Sequence, residues 1–364
     1  MKAGIVGLPN VGKSTLFNCL SNAKAQSANF PFCTIEPNIG VVNVPDPRIS
    51  KLEELVKPER VQMATVDIVD IAGLVKGASK GEGLGNQFLG NIRECNAIIH
   101  VLRCFDNDNI VHVDGSVDPI RDKETIDIEL QLKDLETVEK RLEKTKKAAK
   151  TGNKEAQAET ALLERIREAL LQSKSARTVV AQNQDEENLL ESFQLITSKP
   201  VLYVCNVNEE AAVNGNEYVE KVKELVKDEN AEVIVLSVGA EADITELESY
   251  EERQIFLEDM GLTEPGSAVL IRAAYKLLNL QTYFTAGVKE VRAWTINVGD
   301  TAPQAAGVIH SDFEKGFIRA EVIAYNDYVT YGSEAKVKEA GKLRVEGKEY
   351  IVKDGDVMHF RFNV

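Results

Sequence analysis

One short motif near the amino terminus limits what this chain can fold into more than any other feature. Residues 7–14 read GLPNVGKS, which fits the pattern G-x-x-x-x-G-K-[S/T]. The motif follows an apolar stretch at residues 3–7 and opens a segment with helical character, as a phosphate-binding loop requires. Its glycines let the backbone curl, so that N–H groups and the positive end of the next helix point at phosphate charge. The motif therefore predicts a nucleotide-binding domain.

The motif also assigns roles to individual residues. We expect Lys13 to reach the β- and γ-phosphates of a bound nucleotide and Ser14 to ligate Mg²⁺. The residues predicted to contact phosphate are Asn10, Val11, Gly12, Lys13, Ser14, Thr15 and, further along the chain, Gly73.

Two further segments complete the predicted Mg²⁺ site. Residues 70–73 read DIAG and close an apolar stretch, so Asp70 would hold Mg²⁺ through a water while the Gly73 amide meets the γ-phosphate. Thr34, in a proline-flanked segment, is predicted to join the coordination when a triphosphate is bound. The alternative for Thr34 is an ordinary loop threonine.

Five apolar stretches of five or six residues predict the sheet that carries these motifs. They lie at residues 3–7, 65–69, 97–102, 201–205 and 232–236. Continuous runs rich in Val and Ile are typical of strands buried on both faces, whereas half-exposed strands alternate. Because helical segments separate the runs, we expect right-handed βαβ units and a doubly wound, parallel α/β sheet.

The segment after the fourth stretch is the candidate base-binding site. Residues 206–209 read NVNE, where GTPases carry N-K-x-D. Glu209 is one methylene longer than the aspartate that binds guanine, whereas Asn206 can both donate to and accept from adenine. We therefore predict ATP in preference to GTP, and the alternative is a GTPase of relaxed selectivity. The predicted base contacts are Asn206, Val207, Glu209, Ser237, Val238 and Gly239.

The catalytic group departs from the usual GTPase pattern. Many GTPases place a glutamine after D-x-x-G to orient the attacking water, and this chain has Leu74 there. His112, in a polar loop after the stretch at 97–102, is the candidate replacement because histidine can position or deprotonate water near neutral pH. A structural role for His112 is the open alternative.

Two regions interrupt the α/β pattern. Residues 125–191 carry heptad-like leucines and a break at 151–153, which predicts two antiparallel helices inserted between strands. From residue 280, aromatic and β-branched residues increase and predict a separate α+β domain, in which 313–322 and 332–341 have helical or irregular character. The predicted domains are 1–124 with 192–279, the insert 125–191, and 280–364.

Charge and composition restrict the partners. The chain has 43 Lys and Arg against 58 Asp and Glu, and this net charge of −15 argues at first against a nucleic-acid partner. Residues 140–154, however, hold seven basic residues and one acid, a local charge of 7 − 1 = +6 that predicts an rRNA or phosphate footprint. A solvated helix end is the alternative. Five scattered cysteines and no long apolar run predict a cytoplasmic protein without a membrane span.

Taken together, the motifs resemble the Obg-like ATPase (YchF) family of translation-associated P-loop NTPases. The resemblance depends on residues 7–15, 29–38, 70–74, 77–86 and 206–209, on the helical insert, and on the C-terminal segment from 279–285 through 357–362. It implies an Obg-type G domain with a helical-hairpin insert and a terminal TGS domain, a ubiquitin-like module. It also implies slow ATP hydrolysis with Mg²⁺, and binding to the ribosome through the large subunit and rRNA. His112 matches the proposed catalytic histidine of the family. Asn10 matches an asparagine that helps some relatives use K⁺, and the alternative is an asparagine that stabilises the loop.

Three functions are compatible with the motifs. The leading one is an Mg²⁺-dependent ATPase, monomeric, that acts as a translation-associated switch. The second is a nucleotide-gated binding module in which hydrolysis is incidental. The third, a small-molecule kinase, requires an acceptor site and an arginine-rich lid that the sequence does not show.

Overall fold

The computed structural model of this chain describes residues 1–22, 38–71, 73, 77 and 84–363. Its strands are β1 Lys2–Val6, β2 Ile39–Asn43, β3 Arg60–Gln62, β4 Thr65–Asp70, β5 Ala97–Arg103, β6 Val201–Asn206, β7 Val233–Leu236, β8 Leu280–Ala286, β9 Glu290–Asn297, β10 Phe317–Ile323, β11 Arg344–Glu346 and β12 Val357–Phe362. Its helices are α1 Lys13–Asn22, α2 Pro47–Val56, α3 Leu84–Arg93, α4 Pro119–Ala149, α5 Lys154–Leu171, α6 Gln184–Phe193, α7 Glu217–Val226, α8 Val238–Glu246, α9 Tyr250–Asp259, α10 Gly266–Leu277, α11 Ala302–Ile309, α12 Ser311–Lys315, α13 Tyr325–Tyr331 and α14 Glu334–Glu339.

These elements form two compact units. The first comprises Met1–Gly40 and Asp67–Leu270, and the second comprises Val41–Val66 and Ile271–Val364. Residues 41–66 thus group with the C-terminal part of the chain, although the sequence prediction placed them in the nucleotide-binding domain. Their short strand β3 explains the grouping, because β3 pairs with β9 in the second sheet.

The first sheet has the strand order β2-β4-β1-β5-β6-β7. The pairings β1–β4, β1–β5, β5–β6 and β6–β7 are all parallel. Chain order reverses at β1, which lies between β4 and β5, so the predicted doubly wound sheet is confirmed. Every residue of β5 and β6 is buried, as expected for strands covered on both faces.

The predicted helical hairpin is also confirmed. Helix α4 has 31 residues and begins at Pro119, six residues before the predicted start, and α5 runs back after the break. The Glu139–Arg167 and Arg141–Glu159 ion pairs show that the helices are antiparallel. The hairpin has its own core of Val138, Leu142, Leu162, Leu163, Ile166, Leu170, Ala176, Phe193 and Leu195.

The second unit is α+β, with the strand order β11-β10-β12-β8-β9-β3. The expectation of helical or irregular structure over 313–322 is wrong for most of that segment, since β10 begins at Phe317. A register shift between Phe317 and Arg319 breaks the alternation by which a strand is recognised in sequence. Among the helices that the structure describes, none combines the length and apolarity that a membrane span requires.

Candidate functional site

The phosphate-binding loop connects β1 to α1 at the carboxyl edge of the first sheet. Asn10 and Gly12 adopt positive φ angles of 63° and 100°. A Cβ on Gly12 would lie 2.7 Å from the Asn206 amide nitrogen, so only glycine fits there. The local geometry therefore agrees with the role predicted for this loop.

Lys13 is buried within that loop and its ammonium group donates to the Leu8 carbonyl oxygen over 2.5 Å. Burial lowers the pKa of Lys13 to about 8, and the nearby Asp70 carboxylate partly opposes this shift. A Cβ on Gly73 would lie 3.3 Å from the Lys13 ammonium nitrogen, so Gly73 lies against the loop as well. The structure thus brings Lys13, Asp70 and Gly73 together.

The side chains of this cluster fit a divalent cation. Asp70 Oδ1 is buried and has no hydrogen-bond partner among the described residues, while Ser14 presents an exposed hydroxyl. A buried carboxylate oxygen without a donor is costly unless a cation or water satisfies it, and oxygen ligands are those that Mg²⁺ prefers. Thr34 and Leu74 lie outside the described residues.

Asn206 has a different set of contacts from the one its sequence position suggested. Its side-chain amide donates to the Val11 carbonyl oxygen over 2.9 Å, and its amide oxygen accepts from the Val238 N–H over 3.0 Å. Because Asn206 is 4 % exposed, both groups are engaged within the protein rather than presented to a base. Asn206 therefore fixes the phosphate loop against the segment at 237–239.

A cleft of about 630 Å³ opens beside these residues. It is lined by the predicted residues Asn10, Val11, Gly12, Thr15, Asn206, Val207, Glu209, Ser237, Val238 and Gly239, together with Phe105, Asp106, Asn107, Ile110, Asn208 and Glu210. Sequence reasoning missed the wall at 105–110, which carries no recognisable motif. The available signal was its position directly after β5, at the edge where ligands of parallel sheets bind.

Arg103, at the end of β5, shapes that wall. Its guanidinium group donates to the carbonyl oxygens of Phe105, Asn107 and Ile110 over 2.9 to 3.1 Å, and it is 1 % exposed. The guanidinium carbon lies 4.9 Å from the centre of the Phe105 ring. A planar group with five donors can satisfy several carbonyls at once, so Arg103 imposes one conformation on this loop.

His112 follows the same loop, and its side chain faces helix α4. The imidazole Nε2 lies 2.7 Å from Asp122 Oδ2, and the Asp114 N–H donates to Nδ1 over 3.1 Å. One residue earlier, the Val111 carbonyl oxygen accepts from the Asn10 side chain over 3.1 Å. The loop therefore contacts the phosphate loop through Val111, while the His112 ring is directed towards α4.

Comparison with known proteins identifies the family. A family model described as "50S ribosome-binding GTPase" matches residues 2–237, and one described as "YchF-GTPase_C: Protein of unknown function" matches residues 280–363. A protein of Haemophilus ducreyi named "Ribosome-binding ATPase YchF" is 58 % identical over 100 % of this chain and 99 % of its own length. The chain belongs to the YchF family. The resemblance inferred from the motifs is thereby confirmed.

Other relatives agree with this assignment. The "Ribosome-binding ATPase YchF" of Bacillus subtilis is 56 % identical over the full length of both chains. The solved structure of the Schizosaccharomyces pombe YchF GTPase superposes with a TM-score of 0.88 at 40 % identity, covering 99 % of this chain and 97 % of that one. A GTP-binding protein of Pyrococcus horikoshii, at 20 % identity and a TM-score of 0.62, shares the fold.

Proposed function

We propose that this protein is an Mg²⁺-dependent ATPase that binds the ribosome and changes its contacts with the state of its nucleotide. The observation that carries the proposal is the convergence of Lys13, Asp70 and Gly73 at the phosphate loop. The names of relatives more than half identical to this chain support both the ATPase activity and the ribosomal partner. Such a partner would place the protein in the cytoplasm.

In this proposal Ser14 and Asp70 would hold Mg²⁺, and Thr34 would join them when a triphosphate is bound. The ion would neutralise charge on the β- and γ-phosphates during transfer to water. Lys13 would exchange its bond to the Leu8 carbonyl for phosphate oxygens. A role for Asn10 with K⁺ stays a prediction, and its amide group donates to Val111 in this structure.

The preference for ATP would depend on the walls of the cleft. Because the Asn206 amide is already hydrogen-bonded within the protein, discrimination against guanine would depend on two other differences from GTPases. Position 207 holds a valine in place of the lysine, and the Glu209 carboxylate is displaced by one methylene. The Phe105 ring, which lines the cleft, offers an aromatic face to a base of either kind. A GTPase of relaxed selectivity is the second candidate, favoured by the word GTPase in the matching family description.

The basic end of the hairpin is the proposed ribosome footprint. Lys140, Arg141 and Lys146 form ion pairs with Glu136, Glu159 and Glu164. Lys144, Lys147, Lys150 and Lys154 form no ion pair with a described carboxylate. These four lysines, here called the basic tip, surround the turn between α4 and α5 and are available for phosphate.

Two measurements test the proposal. Competitive titration of the purified protein with ATP and GTP should show tighter ATP binding, and tighter GTP binding would favour the second candidate. The fraction of protein that co-sediments with ribosomes should then differ between the ATP and ADP states. Ribosomes should also increase the rate of single-turnover hydrolysis. Ribosome binding that is insensitive to nucleotide would contradict the switch.

A further inference from the structure

The loop that carries His112 has a burial pattern opposite to the one its side chains favour. Ile110, Val111 and Val113 are 37, 74 and 48 % exposed, whereas His112 is 8 % exposed. Full burial of an aliphatic side chain is worth about 1.5–3 kcal/mol, and a polar ring is costly to bury without hydrogen bonds. The conformation of this loop therefore depends on the groups that satisfy the His112 ring.

Both ring nitrogens are engaged. Because Nδ1 accepts from the Asp114 backbone, the proton lies on Nε2, which donates to Asp122 Oδ2 over 2.7 Å. Asp122 is 1 % exposed, and its other oxygen accepts from Arg121 over 3.1 Å. A general base needs a nitrogen within reach of water, and in this arrangement His112 has none open.

We infer that Asp122 is a positioning residue that holds His112 away from the nucleotide, and that hydrolysis requires His112 to leave this carboxylate. The inference rests on the proposed function, in which His112 acts on the attacking water. Gly115 lies between His112 and α4 with a φ of 78°, and beyond its chain neighbours no atom of the described residues lies within 4 Å of the place where a Cβ would be. This residue gives the loop room to change conformation.

Helix α4, which carries Asp122, also contacts the segment that follows DIAG. On the same helix, two turns further on, the buried Glu129 accepts from the Gly77 N–H over 2.6 Å. Gly77 follows the DIAG segment, so α4 contacts both the His112 loop and the segment whose Gly73 amide is expected to meet the γ-phosphate.

The chemical reactivity of the His112 imidazole tests whether Asp122 holds this ring, and it does so without measuring hydrolysis. Diethylpyrocarbonate modification of the full chain, read by peptide mass spectrometry, gives a rate for each imidazole. In the wild-type protein we expect His112 to react about tenfold more slowly than the exposed His310 and His359. Asp122→Asn keeps the shape of the side chain and removes its charge, and should raise the His112 rate about tenfold, which is the worth of one charge-assisted hydrogen bond.

The same variant should hydrolyse ATP faster in single turnover, by about threefold or more, with unchanged ATP affinity. Glu124→Gln is the matched control, because it removes the charge of an exposed carboxylate on the same helix, and it should leave both rates unchanged. A wild-type His112 rate equal to that of His310 would overturn the inference even if no variant folded. So would slower hydrolysis by Asp122→Asn, or a His112 rate unchanged by it.

One outcome separates this inference from the function on which it rests. Suppose that His112 is modified faster in Asp122→Asn while the rate of hydrolysis is unchanged. That result would support the restraint of His112 by Asp122 and would contradict the catalytic role of His112.

Discussion

At the scale of single residues, His100 couples stability to pH. It lies in β5, buried, and its Nε2 has no hydrogen-bond partner in the part of the chain that the structure describes. Burial, assisted by the nearby Lys123 ammonium group, lowers the pKa of His100 from 6.5 to about 3. Below pH 6.5, His100 therefore binds a proton in the unfolded chain but not in the folded chain. The free energy of unfolding falls as the pH drops from 6.5 towards 3.

Replacing this residue should flatten that dependence. His100→Phe keeps a ring against Tyr203, whose ring centre lies 5.6 Å away, and removes the titrating group. Between pH 6 and pH 4, we expect the free energy of unfolding to lose about 1.4 kcal/mol less per pH unit in the variant than in the wild type. Denaturant unfolding at several pH values measures this slope. The exposed His359→Gln is the control, and equal slopes for wild type and His100→Phe would contradict the argument.

Base selectivity is a second property of single residues. The double substitution Val207→Lys with Glu209→Asp restores the N-K-x-D pattern, and its aspartate can accept two hydrogen bonds from guanine. We expect the affinity for GTP relative to ATP to rise by about tenfold, as for one good bidentate contact to a base. Competition titration measures the ratio. Because Val207 is 2 % exposed, Glu209→Asp alone accompanies the double variant in case the lysine prevents folding.

Glu210→Asp provides the control for this titration, since it shortens a neighbouring carboxylate of the same cleft. A double variant that folds and keeps the wild-type ratio would show that selectivity lies elsewhere, with the wall at 105–110 as the remaining candidate.

At the scale of elements, the loop after β5 depends on one arginine. Arg103→Lys would leave at least two of three carbonyl oxygens without their donor, at a cost of about 1–3 kcal/mol for each one that stays buried. We expect lower thermal stability and weaker ATP binding, because the same loop lines the cleft. Arg253→Lys is the matched control, since Arg253 also donates to a backbone carbonyl, that of Leu247, but neither residue lines the cleft. Unchanged ATP affinity in Arg103→Lys would show that the conformation of this loop does not contribute to nucleotide binding.

The elements also show how far sequence reasoning reaches. The buried parallel strands were predictable because continuous apolar runs are their direct signature, and the phosphate loop because its glycines and lysine are required by its geometry. The start of α4 was missed, although Asp118-Pro119 is a helix-start signal: the Asp118 side chain accepts from the N–H groups of Ile120 and Arg121. Without that start, Asp122 could not be recognised as the partner of His112.

The role of Asn206 could not be derived from its residue type. An asparagine side chain suits a base and a backbone equally well, and only the proximity of Val11 and Val238 decides between them. Contacts between loops that are about 200 residues apart in the chain depend on the tertiary fold, which propensity and spacing do not encode.

At the scale of the whole molecule, charge must be counted by region. A net charge of −15 keeps the chain repelled from polyanions at long range, whereas contact depends on charges within about one Debye length of the phosphate. In the proposed footprint, the four lysines of the basic tip would meet that condition. Of the seven basic residues counted in sequence, the three in ion pairs contribute less, because their carboxylate partners already neutralise them.

The charge reversal Lys147→Glu with Lys150→Glu tests this view of the molecule. Each lysine that contacts phosphate should add about 0.7–0.9 to the slope of log affinity against log salt, so the variant should bind ribosomes more weakly and with a slope smaller by about 1.5. Co-sedimentation at several salt concentrations measures both quantities. Lys223→Glu with Lys227→Glu is the control, because it changes the net charge equally at two exposed lysines, one in α7 and one directly after it. If both variants lost the same affinity, overall charge and not the basic tip would control association, and an unaltered slope in the tip variant would place the footprint elsewhere.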